Sequence, residues 1–232
     1  MDVATVNTDT LKQLLSLEAT YKLSDAVMDE FLAGAVTIQL STYEPMIDAG
    51  KYDPNIYIVK QGLIRGTYLD GNMEKTAGFA LPGTLLLSFH CYYGGEPSYY
   101  RFEACCASEV LRIPKEYFES LIARSHEFAI WVMSAHQNQL YYNESKNQVL
   151  SGDARSRLVQ LTRRLQGILS PSAHDTEQSP ASDEPHAVRV RKELYCRWNE
   201  IFRIVPSRII ASYLGITEQH LSKIKKEVLL SI

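Results

Sequence analysis

The spacing of apolar residues along this chain changes twice. Residues 8 to 34 set Leu11, Leu14 and Leu15, then Ala26, Val27, Phe31 and Leu32, at helical spacing, with Ser24 as an N-cap before the second run. From Val36 to Ile113 the period shortens to that of strands. The runs Val36–Leu40, Ile56–Lys60, Leu63–Leu69, Lys75–Phe79, Tyr99–Cys105 and Val110–Ile113 are rich in β-formers, and Gly62, Asp70-Gly71, Gly83 and Gly94-Gly95 punctuate them as turns. Short strands at this spacing predict a small antiparallel barrel or jelly roll.

Helical spacing returns after Pro114, with a short helix over Lys115–Ala123 and a long one over residues 127–150. Phe128, Val132, Ala135, Tyr142 and Val149 recur there at nearly heptad spacing, which predicts a dimer seam; the same pattern also suits a solitary amphipathic helix lying on the barrel. Ser151-Gly152-Asp153 reads as a hinge, with Asp153 capping a helix over residues 154–169. Residues 170–186 hold three prolines and almost nothing apolar, the composition of an exposed loop. A further helix over residues 188–204 carries Leu194, Trp198, Ile201 and Phe202 as a stripe and ends at Pro206. The expected fold is α+β: an N-terminal antiparallel barrel or jelly roll over residues 1–126, a dimerisation helix and hinge over 127–152, and a helical domain over 153–232.

Within that last domain, Ser207 to Lys226 matches the steric needs of a helix-turn-helix. Ala211 is small where two helices must approach, and Gly215 stands in the turn, where a left-handed backbone penalises any side chain. Ile210, Leu214, Ile216, Leu221 and Ile224 supply apolar contacts, and Thr217 is a good N-cap. The second helix then offers Glu218, Gln219, His220, Ser222 and Lys223 in its first turns, where a recognition helix meets base edges, with Lys225 and Lys226 in reach of phosphate. Charge is distributed to match. Residues 1–149 hold 11 Lys+Arg against 18 Asp+Glu, and residues 150–232 hold 13 against 9. A local basic field of this kind is compatible with nucleic acid despite an overall pI near 6.1.

A chain of 232 residues, 45% hydrophobic, can bury one sizeable core and a smaller second one. It has no apolar run long enough to cross a membrane and no basic flank of a signal peptide, so a cytoplasmic protein with no membrane partner is expected. Cys91, Cys105, Cys106 and Cys196 lack CxxC spacing. Buried free thiols are expected, with the 105/106 pair on opposite faces of a strand; a redox or iron-sulfur sensor is the sharper alternative. No metal site and no cofactor are expected. Nor is an enzyme, since no nucleophilic triad, metal-ligand or phosphate-loop spacing is present.

Helix, small barrel, long helix, hinge and C-terminal helix-turn-helix together resemble the Crp/Fnr family of bacterial transcription regulators. Ile56-Tyr-Ile-Val-Lys-Gln-Gly62, Asp70-Gly71, Phe79-Ala-Leu-Pro-Gly83 and Val110-Leu-Arg-Ile113 look like a cyclic-nucleotide-binding domain, and Val205 to Thr217 is similar to the tail of members common in Bacteroidetes. The resemblance implies a homodimer that places two recognition helices in successive major grooves of a pseudo-palindromic operator in double-stranded DNA, about 34 Å apart. It implies base reading by Glu218, Gln219 and Lys223, where Gln219 suits adenine, Lys223 guanine or phosphate, and Glu218 a cytosine amine. Members often carry arginine where Glu218 stands, so a family consensus site does not transfer. With only six residues after Lys226, little room is left for the hairpin wing of many members, and phosphate contacts fall to Arg203, Arg208, Lys225 and Lys226.

Members that bind cyclic AMP hold its phosphate with a Gly-Glu step and an Arg-Ser pair. Those positions fall here on Leu87-Ser88 and Ser98-Tyr99, so both charged groups are missing. Arg101 reaches the same face as Tyr99 by alternation, which leaves a different anion open. Tyr142 and Asn143 of the long helix complete the expected effector pocket. Tyr92, Tyr93, Tyr99 and Tyr100 either fill that pocket or line a site for a flat or apolar effector, and His90, His126 and His136 are the candidates should the effector be haem. The expected function is a dimeric DNA-binding regulator whose effector pocket is degenerate or repurposed and does not take cyclic AMP. The alternative is a small-molecule or protein-partner binding module whose helix-turn-helix no longer reads DNA.

Overall fold

The computed structural model describes residues 6–150, 152–165 and 204–229. Helices α1 (Thr8–Ser16) and α2 (Asp25–Ala33) precede strands β1 (Val36–Leu40), β2 (Pro45–Ile47), β3 (Ile56–Gln61), β4 (Ile64–Asp70), β5 (Met73–Ala80) and β6 (Leu85–Leu87). Helix α3 (Phe89–Gly94) leads into β7 (Arg101–Ala104) and β8 (Ser108–Ile113), followed by α4 (Lys115–Arg124), α5 (His126–Leu150), α6 (Ala154–Leu165), α7 (Ser207–Leu214) and α8 (Glu218–Leu229). The chain divides into two compact units, Met1–Asn138 and Gln139–Ile232. The helix expected over residues 188–204 apart from Ile204, the loop 170–186, Arg203 and Cys196 lie outside the described residues.

Two antiparallel four-stranded sheets, ordered β1-β8-β3-β6 and β2-β7-β4-β5, build the first unit. Their facing sides enclose Leu40, Ile47, Tyr57, Val59, Ile64, Ala80, Leu86, Ala104 and Val110, with Phe102 packed against them. The two sheets make an antiparallel β-sandwich, where an antiparallel barrel or jelly roll was expected. The two-residue connection Gly71-Asn72 joins β4 to β5, with Gly71 at φ 61°, a value only glycine holds without strain. A second core forms where α2, α4 and α5 meet. Phe31, Phe118, Phe128 and Trp131 contact one another at ring separations of 5.0 to 5.9 Å and are all buried. Each such side chain contributes roughly 1.5–3 kcal/mol by leaving water.

This packing corrects the expected seam. Phe128, Val132 and Ala135 are buried inside their own chain, so they cannot also face a second copy. The opposite side of α5 exposes Met133 (71%), Leu140 (66%) and Tyr141. The side chain of Val149 lies outside the described residues. Ser24 stands at the N-cap of α2 as expected, but its hydroxyl donates to Glu127 Oε2 at 2.9 Å instead of capping. The cysteine pair also differs: Cys105 and Cys106 sit in the bend after β7, not within a strand. Cys105 is buried and its thiol is pushed up to about 12 by desolvation. Cys91 is buried as well, and both it and Cys105 are free thiols.

On the outer side of the second sheet, charges form a ladder across all its strands. Arg65 of β4 is 7% exposed and pairs with Glu103 of β7, 4% exposed, at 2.7 Å, and with Glu74 of β5 at 2.8 Å. Arg101 of β7 donates to the other Glu103 oxygen at 2.9 Å and approaches Asp48, next to β2, at 3.6 Å. The signs alternate from edge to edge.

Candidate effector pocket and nucleic-acid interface

In the second unit, α7 ends in a paired-hydrogen-bond cap. Ile216 N–H donates to the Ala211 carbonyl at 3.0 Å and Gly215 N–H to Ser212 at 3.2 Å, with Gly215 at φ 64°. Thr217 then opens α8, its Oγ1 accepting from His220 N–H at 3.2 Å. Ile209, Ile210, Ala211, Tyr213, Leu214, Leu221 and Ile224 are buried, together with Leu158 and Leu161 of α6. Arg157 of α6 adds a contact the sequence did not announce. Its guanidinium donates to the Leu214 carbonyl at 2.5 Å, placing a cation at the negative end of α7 and against the turn.

The outward side of these two helices carries the polar residues expected there. Arg208, Thr217, Glu218, Gln219, His220, Ser222, Lys223 and Lys226 are exposed, and Lys225 is half-buried, with its ammonium pKa lowered by desolvation. A row of exposed polar side chains on the helix after a tight turn has the shape and the donors needed to enter a major groove.

In the first unit, the residues expected at the phosphate position are occupied with one another. Leu87 closes β6 and is buried; Ser88 donates to Ser98 Oγ at 2.9 Å, and Ser98 donates to the Tyr100 carbonyl at 2.7 Å. Ser98 also ties the loop 48–51 through Gly50 N–H and the Lys51 carbonyl, both at 2.8 Å. Arg101 does not join Tyr99, which precedes β7 and is half exposed. Alternation turns it to the outer side with Glu103, while Phe102 faces inward. The side chains of Tyr142 and Asn143 lie outside the described residues.

The tyrosines separate into two groups. Tyr92 and Tyr93 belong to α3, where Tyr92 packs edge-on against Phe118 and its phenol is pushed up to about 12 by burial. Its carbonyl accepts from Lys115 Nζ at 2.7 Å. Tyr99 and Tyr100 instead surround Tyr68 of β4, with Tyr99 stacked on it and Tyr100 edge-on, both at 6.0 Å. Tyr68 and Phe102 join this aromatic cluster and were not singled out in the sequence; reading β4 and β7 with a strict two-residue period would have found them. His136 packs against Phe89 and Tyr93, and His90 against Tyr99. Burial lowers the imidazole pKa of His136.

Residues 38–125 match the family described as the cyclic nucleotide-binding domain. Among solved structures, FixK2 of Bradyrhizobium japonicum superposes with a TM-score of 0.62 at 16% identity, covering 85% of both chains. The c-di-GMP responsive global regulator CLP of Xanthomonas campestris gives 0.60 at 15% identity over 90% of this chain and 93% of its own. The catabolite activator protein of Thermus thermophilus gives 0.50 at 15% identity over 94% and 87%. No curated protein matches the sequence.

Proposed function

Residues 38–125 belong to the cyclic nucleotide-binding domain family and the chain has the fold of Crp/Fnr-type regulators; from that premise we propose a dimeric, sequence-specific DNA-binding transcription regulator with a repurposed effector pocket. In this reading residues 1–126 sense, 127–152 join two copies, and 153–232 bind DNA. The observation that carries DNA binding is the exposed polar row on α8, set by the Gly215 turn. Gln219 and Lys223 read bases, Glu218 selects for a cytosine amine, and Arg208, Lys225 and Lys226 bear on phosphate. Thr217, His220 and Ser222 complete the contact face.

The proposed seam is re-registered to the exposed side of α5. Ile130, Met133, Gln137 and Leu140 follow one another at alternating three- and four-residue steps, the spacing of a two-stranded coil. Rejection of cyclic AMP is supported by the closed Ser88–Ser98–Tyr100 chain and by Arg101 being held on the outer side. A guanidinium lost from a buried phosphate forfeits roughly 1.5–3 kcal/mol, one to two decades of affinity.

Selection of bound duplexes from a randomised DNA pool tests the proposal. Enrichment of a pseudo-palindrome with half-sites one helical turn apart is expected. Failure to retain any duplex at low salt would rule out the regulator and leave the partner-binding alternative.

A further inference from the structure

The imidazole of His136 sits where α5 meets α3. Its ring lies 5.9 Å from Phe89 and 6.2 Å from Tyr93, and those two rings stack on each other at 6.0 Å. One ring nitrogen donates to the Val132 carbonyl a turn earlier on the same helix, while Nε2 is buried with no partner among the described residues. The bonded nitrogen is therefore Nδ1, and the neutral ring leaves Nε2 bare. From α3 the imidazole meets uncharged Phe89 and the phenol of Tyr93, which burial keeps protonated; His90 turns instead to Tyr99. From α4, Lys115 and Glu119 stand behind Tyr92, which is edge-on to Tyr93 at 4.7 Å. Lys115 is occupied by the Tyr92 carbonyl at 2.7 Å and approaches Glu119 at 3.7 Å. On α5 itself Met133, Gln137 and Leu140 carry no charge, and Glu144 is exposed two turns further on. Among the described residues no charged group acts on the imidazole.

We propose that His136 is a proton-operated latch: neutral, it lets Phe89 and Tyr93 close α3 onto α5, and protonated, it drives the two helices apart. A proton at Nε2 creates a buried donor on a charged ring with no acceptor in reach, a heavier loss than a neutral hydrogen bond left unmade. The aromatic faces offset little of it, since both centroids lie near the outer limit of cation–π attraction and the rings are tilted by 53° and 59°. Desolvation accordingly holds the imidazole pKa below its ordinary 6.5 while α3 is closed. In the open form water reaches Nε2 and the ordinary value returns. Closure is therefore fully favoured above that value and weakens as pH falls below it, by up to about tenfold per unit, until the closed form titrates too. Both sides of the unit feel the change: Ser88, the N-cap residue of α3, bonds Ser98, and Met133 and Leu140 flank His136 on the exposed side of α5. The latch stands on the first unit alone and holds whether or not the chain binds DNA.

Amide hydrogen exchange over Phe89–Gly94 in the full chain, corrected for the pH dependence of intrinsic exchange, tests the latch between about pH 7.5 and 5.5. Protection should fall several-fold on acidification, up to about tenfold, and the His136 Cε1 proton should titrate below 6.5 by NMR. His136→Gln keeps an amide donor for the Val132 carbonyl but cannot titrate, so its protection should change less than about twofold over the same range. His136→Phe keeps an uncharged ring against Phe89 and Tyr93 and should be equally flat, which separates lost packing from lost titration. His90→Gln should retain the native fall. Flat protection in the native protein, a His136 pKa at or above 6.5, a native-sized fall in either His136 variant, or loss of the fall in His90→Gln would overturn the latch.

Discussion

Gly62 meets two demands at once. Its φ of 94° lies where side chains are strained, and a Cβ there would sit 2.8 Å from the Ser108 Cα, a backbone atom that cannot swing aside. Gly62→Ala should therefore cost about 2–5 kcal/mol, read as a lower urea midpoint at unchanged slope. That glycine was legible as a turn signal, whereas the facing of Gly66 and Gly78 was not. In a strand pattern a glycine only weakens the period, and it takes the pairing of two strands to set one opposite the other. The Arg101 expectation failed for a similar reason. Counting by twos presumed that the strand already included Tyr99, but β7 begins at Arg101 itself, whose fork is drawn to a buried carboxylate.

At the scale of elements, helices with long periodic patterns and the β1, β3, β4, β5, β7 and β8 runs could be read from the chain, while β2, β6 and α3 could not. Pro45–Ile47 and Leu85–Leu87 are three residues each, too short for alternation to register, and Phe89–Gly94 spends strand-forming aromatics on one turn and a half of helix. The α5 pattern was visible but its direction was not, since a stripe looks the same whether it faces its own core or a second copy. Two substitutions separate these cases. Val132→Glu buries an unpaired carboxylate in the first unit and should lower the stability of the fold itself by several kcal/mol. Met133→Glu should leave the melting temperature of the isolated subunit nearly unchanged and shift sedimentation toward monomer. A monomeric native protein at micromolar concentration would remove the seam altogether. Arg157 is a positioning residue on the same scale. Replacing it by Ala should weaken operator affinity because the end of α7 loses its cation, yet leave the salt slope of binding unaltered, and Arg157→Lys should recover part of the affinity.

For the whole molecule, the separation of charge along the chain matters more than its net value of −3. In the proposed regulator, the C-terminal excess of lysine and arginine should make DNA binding fall steeply with salt, each phosphate contact adding roughly 0.9 to the logarithmic slope. If Lys223 contacts phosphate, Lys223→Ala should remove about one such unit; if it reads guanine, the slope should hold and discrimination at one base pair should fall by roughly 1–3 kcal/mol. Binding isotherms of the selected operator and a single-base variant across ionic strength distinguish the two.

The run of alternating charges from Glu74 through Arg65, Glu103 and Arg101 to Asp48 also constrains how this sheet can change. Deleting Glu103 would leave the buried Arg65 guanidinium with Glu74 alone, and deleting Arg65 would leave the Glu103 carboxylate with Arg101 alone, so either single change is destabilising, by less than the roughly 3–5 kcal/mol of a buried charge left with no partner. Replacing both by apolar residues of similar volume is close to neutral. Neighbouring strands are thereby bound into a shared history, because the only inexpensive route away from the present pair is a simultaneous double step, and single substitutions on this face lead downhill in stability.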